Sequence, residues 1–243
     1  MQKRKNKIIT LYSKKGGVGK TTFSEILQSG LSNDKWFVIT NDPSTYVETE
    51  EKTEYMEDIE LYEDGNIIYD LGGFEADNVY DLLAVSDLVI IPTLLGKNSI
   101  VKATSIIEEL KEIGQENILL IINQFKLRES LKYRQEIEHL KSLGVNYLFF
   151  SDSTLYINAL GVDNNVYDYM NSSFNSYKNA RENINNLLNY VSENLNIDIE
   201  LSSEEQIEDK PSKKIILEKI EKRNSDIKKN ILIRTEDKKT RKA

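Results

Sequence analysis

The chain contains no cysteine. That excludes disulfides, thiolate metal sites and iron–sulfur clusters. It has one histidine, His139, set among Glu136, Glu138 and Lys141. A histidine-built metal site usually recruits several ligands, so a lone one on a charged helix reads as solvated surface. No run approaches ~18 uninterrupted apolar residues, which argues against a transmembrane helix. The N-terminal stretch Met1–Lys7 is basic but leads straight into an apolar strand. It lacks the apolar stretch and small-residue cleavage site of a signal peptide, so the expected compartment is the cytoplasm.

What is there is a chain of 243 residues, enough for one sizeable α/β domain or a domain plus a tail. The formal net charge of -8 is unevenly placed. From Lys210 onward there are 13 Lys/Arg against 5 Asp/Glu, a basic tail of +8 that leaves -16 on residues 1–209. The composition shifts after Asn196, so the expected division is a domain over 1–196 and a basic tail over 197–243. The tail carries Ile216, Ile220, Ile227 and Ile231 at helical spacing with lysines between. An amphipathic helix for DNA, membrane or a partner and a marginal, partly disordered tail are both open readings.

The most informative stretch is Lys14-Lys15-Gly16-Gly17-Val18-Gly19-Lys20-Thr21-Thr22. A β-prone segment, Lys7–Ser13, precedes it, and Phe23–Leu31 reads as a helix after it. Strand, glycine-rich turn and helix in that order cradle phosphate. The glycines let successive N–H groups point into one concavity, and the helix adds its positive end. Lys20 suits the β- and γ-phosphates, and the Thr21 hydroxyl suits Mg²⁺. The generic phosphate-loop pattern asks for a glycine where this chain has Lys14.

Further strands end on chemistry. Lys35–Thr40 runs into Asn41-Asp42-Pro43-Ser44, which puts Asp42 on a turn at the strand's carboxyl end. Residues 45–64 are acidic and read as a short helix and solvated surface. Asn66–Asp70 followed by Leu71-Gly72-Gly73 has the Walker B form, in which the carboxylate stands beside Mg²⁺ or one of its waters. Ala76–Ala84 reads as a helix, Val85–Pro92 as a buried strand stopped by Pro92, and Ser99–Ile113 as an amphipathic helix. Asn117–Asn123 is a fully apolar strand, which implies helices on both faces. Asn123 ends it, where its amide serves as a strand-end cap or pairs with a base edge. Lys126, Arg128, Lys132 and Arg134 open what reads as a helix over Arg128–Leu143, with Arg128 and Lys132 four apart on one face. Val145–Phe150 and Asn179–Leu195 complete an α/β alternation that predicts a doubly wound, mostly parallel sheet.

The box Lys15–Thr22, K-G-G-V-G-K-T-T, resembles the deviant Walker A box of the ParA/MinD ATPases, a SIMIBI-like class of P-loop NTPases. The phrase V-S-D-L-V-I-I-P over Val85–Pro92 is similar to compact plasmid-partition (ParF-like) members. The resemblance covers roughly Lys7–Leu195. It implies an ATP-dependent dimer in which Lys15 reaches the partner's nucleotide and Gly16, Gly17, Val18, Gly19, Lys20, Thr21 and Thr22 cradle the phosphates. Thr21 and Asp70 would serve Mg²⁺, Asp42 would orient the attacking water, and Asn123 would approach the adenine. The family's D-x-D-P-Q turn reads Thr40-Asn41-Asp42-Pro43-Ser44 here, so the first aspartate and the glutamine are replaced. The resemblance also implies a homodimer with ATP, non-specific DNA bound near Lys126, Arg128, Lys132 and Arg134, a ParB-like partner that stimulates hydrolysis, and a nucleoid-associated location. Phosphate contacts of that kind need charge only, although a charged helix face is also simply solvated. The rival readings are a MinD-like membrane switch using the basic tail, and a nucleotide-binding scaffold with little hydrolysis.

Overall fold

The computed structural model describes residues 6–31, 36–42, 53–56, 60–62, 65–72, 79–153, 156 and 178–197. Residues 157–169 of the resemblance and the basic tail lie outside them. Seven strands form one sheet: β1 Ile8–Leu11, β2 Trp36–Thr40, β3 Thr53–Tyr55, β4 Asn66–Asp70, β5 Leu88–Leu94, β6 Ile118–Phe125 and β7 Asn146–Ser151. Their order is β3-β2-β4-β1-β5-β6-β7, and every pairing is parallel. The chain leaves β1 toward one edge, then passes from β4 across β1 to β5, and in a parallel sheet ligands bind at the carboxyl ends of strands where the winding reverses in this way.

Among the described residues five helices cover the sheet: α1 Lys20–Gly30, α2 Val79–Val85, α3 Lys97–Glu112, α4 Arg134–Ser142 and α5 Lys178–Leu195. Alternate strand residues feed two cores, as the period of two requires. Ile9, Leu11, Ile68, Leu88, Ile90, Leu119 and Ile121 pack with Phe23, Ile26 and Leu27 of α1 and Ile184, Leu187 and Leu188 of α5. Ile8, Ile67, Tyr69, Val89, Ile91, Leu120 and Ile122 pack with α2, α3 and Leu140 of α4. Gly30 closes α1 against α5: a Cβ there would lie 2.5 Å from both methyls of Leu188.

Three expectations need correction. Pro92 does not stop β5, which continues to Leu94. The carbonyl of Ile90 accepts from Tyr12 N–H on the β1 side. Two residues on, the missing N–H of Pro92 faces that same side, where β1 has already ended at Leu11, so no ladder bond is lost. The acidic stretch holds a short edge strand, β3, paired to β2 from Val38↔Thr53 to Thr40↔Tyr55, where a helix was expected. Finally, the helix expected from Arg128 starts at Arg134. Gln124, at φ 53, sits at an irregularity within β6, and a 3-10 turn, η1, at Leu127–Glu129 comes before the helix.

Candidate nucleotide site

The loop from Tyr12 to Gly19 joins β1 to α1 at the carboxyl edge of the sheet. Gly17 and Gly19 have φ of 71° and 101°, values that glycine adopts without strain. On the open side, a Cβ at Gly16 or Gly17 would meet nothing within 4 Å. On the inner side Val18 is buried at 1 % exposure. Asn123 Nδ2 donates to the Val18 carbonyl at 2.8 Å, and Asn123 Oδ1 accepts from Gln124 N–H at 2.8 Å. Asn123 therefore braces the loop from within β6, which runs on to Phe125 and does not end at Asn123 as expected; an adenine contact does not follow from this geometry. α1 has no side-chain cap and no acidic residue in its first turn. Its leading N–H groups are thus left for an anion, as the cradle requires.

Lys20, Thr21 and Thr22 form the first turn of α1. Asp70, at the end of β4, is 2 % exposed. Burial raises its carboxyl above the ordinary range; a hydrogen bond from Thr21 and the charge of Lys20 pull the other way, and the charge of Asp42 adds to the rise. The structure thus brings Lys20, Thr21, Asp42 and Asp70 into one electrostatic neighbourhood. Among the described residues no three acidic or histidine groups could hold a metal ion. This donor set suits Mg²⁺, which is bound by one or two protein groups together with phosphates rather than by a protein cage.

Thr40 stands where the resemblance expects an aspartate, and its hydroxyl accepts from Asp42 N–H at 3.1 Å. A threonine oxygen accepting from the residue two ahead makes the same local turn that an aspartate makes. The replacement keeps the turn and drops a charge. Asn41, which the sequence left without a role, accepts from Gly72 N–H at 2.5 Å through Oδ1. The turn bearing Asp42 is thereby tied to the glycine loop after Asp70.

Two further features were missed. Glu25, on the second turn of α1, has its carboxyl pushed up to about 7 by burial and by the charge of Asp70. Lys15, expected to reach a second subunit, lies within its own chain: Nζ donates to Ser99 Oγ of α3 at 2.5 Å.

Of the four cations proposed for DNA, Arg128 and Lys132, expected on one helix face, both precede α4. Lys126 pairs with Asp152 at 2.9 Å, and Arg134 pairs with Glu138 at 2.8 Å. Arg128 lies on η1, and Lys132 Nζ stands 4.9 Å from the centre of the Tyr133 ring. His139, read as solvated, shares a 3.0 Å hydrogen bond with Thr104 on α3.

No protein-family profile matches the chain, and no curated protein matches it. Solved structures do. MinD cell division protein from Aquifex aeolicus superposes with a TM-score of 0.55 at 15% identity, covering 81% of this chain and 99% of that one. A plasmid partition protein from Borrelia burgdorferi bound to AMPPNP gives 0.53 at 20% identity, covering 76% and 99%. MinD from Pyrococcus horikoshii complexed with Mg-ADP gives 0.55 at 14% identity, covering 76% and 96%. The chain has the ParA/MinD-type P-loop ATPase fold. The glycine-rich box Lys15–Thr22 sits at the strand-to-helix turn of that fold, where Gly17 and Gly19 take up their left-handed backbone. Among the described residues no helix is long and apolar enough to cross a membrane.

Proposed function

We propose that this protein is an ATP-dependent partition switch: two copies close over ATP, the closed dimer holds DNA without reading its sequence, and hydrolysis stimulated by a ParB-like partner releases it. The observation that carries the reading is the gathering of Lys20, Thr21, Asp42 and Asp70 beneath a glycine loop whose α1 N–H groups are uncapped. Lys20 in cis and Lys15 in trans would offset phosphate charge, Thr21 and Asp70 would hold Mg²⁺, and Asp42 would orient water. When bound, the ion would supply positive charge to offset that of the phosphates. Such chemistry rests on positioning and electrostatics, so a slow switch is compatible with it.

The test is a nucleotide-dependent DNA-binding assay with Lys15→Ala. Loss of ATP-dependent dimer and DNA retention together is expected. Retention of both in the variant would refute the trans role of Lys15. A second reading, a MinD-like switch on anionic lipid, is motivated by the basic tail, with 13 Lys/Arg against 5 Asp/Glu from Lys210 onward. Co-sedimentation with vesicles containing phosphatidylglycerol, with and without residues 210–243, separates the two.

The Lys15–Ser99 contact yields a second expectation. Lys15 must leave Ser99 to reach a second subunit, so Ser99→Ala should favour the ATP dimer by about three- to tenfold, the worth of one hydrogen bond. Sedimentation velocity with ATP and Mg²⁺ measures it. An unchanged dimer constant would mean the contact does not hold Lys15 back.

A further inference from the structure

Lys14 occupies the one position of the generic phosphate-loop pattern that this chain does not fill with glycine. A third lysine beside Lys15 and Lys20 adds like charge to the loop, or another hand for the phosphates. The structure does neither. Lys14 Nζ turns onto α3 and meets both carboxylate oxygens of Glu109 at 2.7 Å. Ser105 Oγ donates to Glu109 Oε1 at 2.7 Å, and the hydroxyl of Tyr80, on α2, donates to Glu109 Oε2. Lys102 Nζ donates to the carbonyl of Lys14 at 2.8 Å, so α3 grips the main chain of this residue as well as its side chain.

Ser99, Lys102, Ser105 and Glu109 are spaced three, three and four along α3, which places them in one stripe of the helix. That stripe is a rail along the start of the loop. Glu109 is its fixed point, because its carboxylate takes donors from three elements: the loop, α2 and α3 itself. Burial would raise its carboxyl, yet the bonds from Lys14, Tyr80 and Ser105 hold it below the ordinary range. The side chains of Lys14 and Glu109 are 25% and 31% exposed, which places the pair between a screened surface bridge and a buried one. α2 is the next described element after β4, which ends at Asp70, so Tyr80 links the first residue of the phosphate loop to the segment beyond the second motif.

We propose that Glu109 is a positioning residue for the nucleotide, acting through Lys14 to fix the start of the phosphate loop and through Tyr80 to join that loop to α2. The inference rests on the nucleotide reading above. Its role is to keep the backbone donors aimed, which is the main thing a phosphate cradle contributes.

The experiment measures AMPPNP–Mg²⁺ binding to the full chain by calorimetry, with urea unfolding in parallel. Glu109→Gln should weaken binding about tenfold, the scale of one charge-assisted contact set, and raise KM for ATP more than it lowers kcat. Lys14→Met should do the same, the double variant should be no worse than either single one, and Lys14→Arg should restore binding. Tyr80→Phe, at a residue 38% exposed, is the conservative probe should Glu109→Gln unfold, and should weaken binding about threefold. Wild-type affinity in Glu109→Gln, or additive losses in the double variant, would overturn the proposal while leaving the nucleotide reading intact. Failure of the wild-type chain to bind AMPPNP would overturn the nucleotide reading itself, and the proposal with it.

Discussion

Gly19→Ala removes nucleotide capture. At φ 101° an alanine is strained wherever its side chain goes, and its Cβ would lie 2.5 Å from Asn123 Nδ2. The amide of Asn123 would have to move, and it is the group that holds the Val18 carbonyl at 2.8 Å. The loop cannot yield at one end alone, because Gly19 also starts α1: its carbonyl accepts from Phe23 N–H at 3.0 Å. Strain of this kind costs about 1–3 kcal/mol of stability. Binding suffers more, because two or more backbone donors lose their aim, and each bond to a charged group contributes about 1.5–3 kcal/mol. A loss of at least about 100-fold in affinity for AMPPNP–Mg²⁺ is expected by calorimetry. Gly16→Ala is the contrast for stability: a Cβ there meets nothing within 4 Å, so its urea midpoint should stay near that of wild type. Unchanged affinity in Gly19→Ala would show that this loop does not hold the phosphates.

The loop was legible in the sequence because its chemistry is local. Glycines at fixed offsets, a lysine and a hydroxyl between a strand and a helix suffice to specify a cradle. The central strands were legible for a related reason: Leu88–Ile91 and Ile118–Ile122 are apolar throughout, as strands covered on both faces must be. Where the structure departs, the deciding contacts are remote in sequence. β3 is three residues, T-E-Y, in an acidic stretch, and its strand form comes from backbone pairing with β2. The four cations after β6 suggested the start of a helix, with Arg128 and Lys132 on one face, yet the positive φ of Gln124 and the 3-10 turn at Leu127–Glu129 precede the helix, and neither has a strong residue signal. Thr40 counted as a departure from the resemblance because the comparison was of side-chain charge. What the turn needs is an oxygen two residues before Asp42, and the hydroxyl supplies it. Lys14 stood out only as a missing glycine, with no signal for what its side chain meets. The partners of its side chain lie 66 and 95 residues away, on α2 and α3.

Glu25 was invisible for the same reason, and it gives the other large expected effect. By periodicity it belongs to the polar side of α1, whose buried residues are Phe23, Ser24, Ile26, Leu27 and Gly30. Its environment comes instead from β4. Burial, and after it the charge of Asp70, push its carboxyl from 4.5 up to about 7. An acid raised in the folded state costs stability only once it ionises. At pH 4 Glu25 is mostly neutral in both states and contributes little. Between 4.5 and about 7 the folded chain keeps a proton that the unfolded chain has lost, so stability falls as pH rises. Above about 7 the penalty is complete. Glu25→Gln should therefore raise unfolding free energy at pH 8 by about 1–2 kcal/mol, after discounting the full shift for the half-buried position, and change it little near pH 4. Urea unfolding at the two pH values measures the difference. An equal gain at both would assign the effect to packing and not to charge. The direction matters for the site, because the carboxylate that weakens the fold stands beside Asp70, the group proposed to serve Mg²⁺. Stability given up at such a position is the pattern expected where charge is held ready for a ligand. On that account AMPPNP–Mg²⁺ should bind more weakly to Glu25→Gln than to wild type at pH 8, even as the free variant becomes harder to unfold.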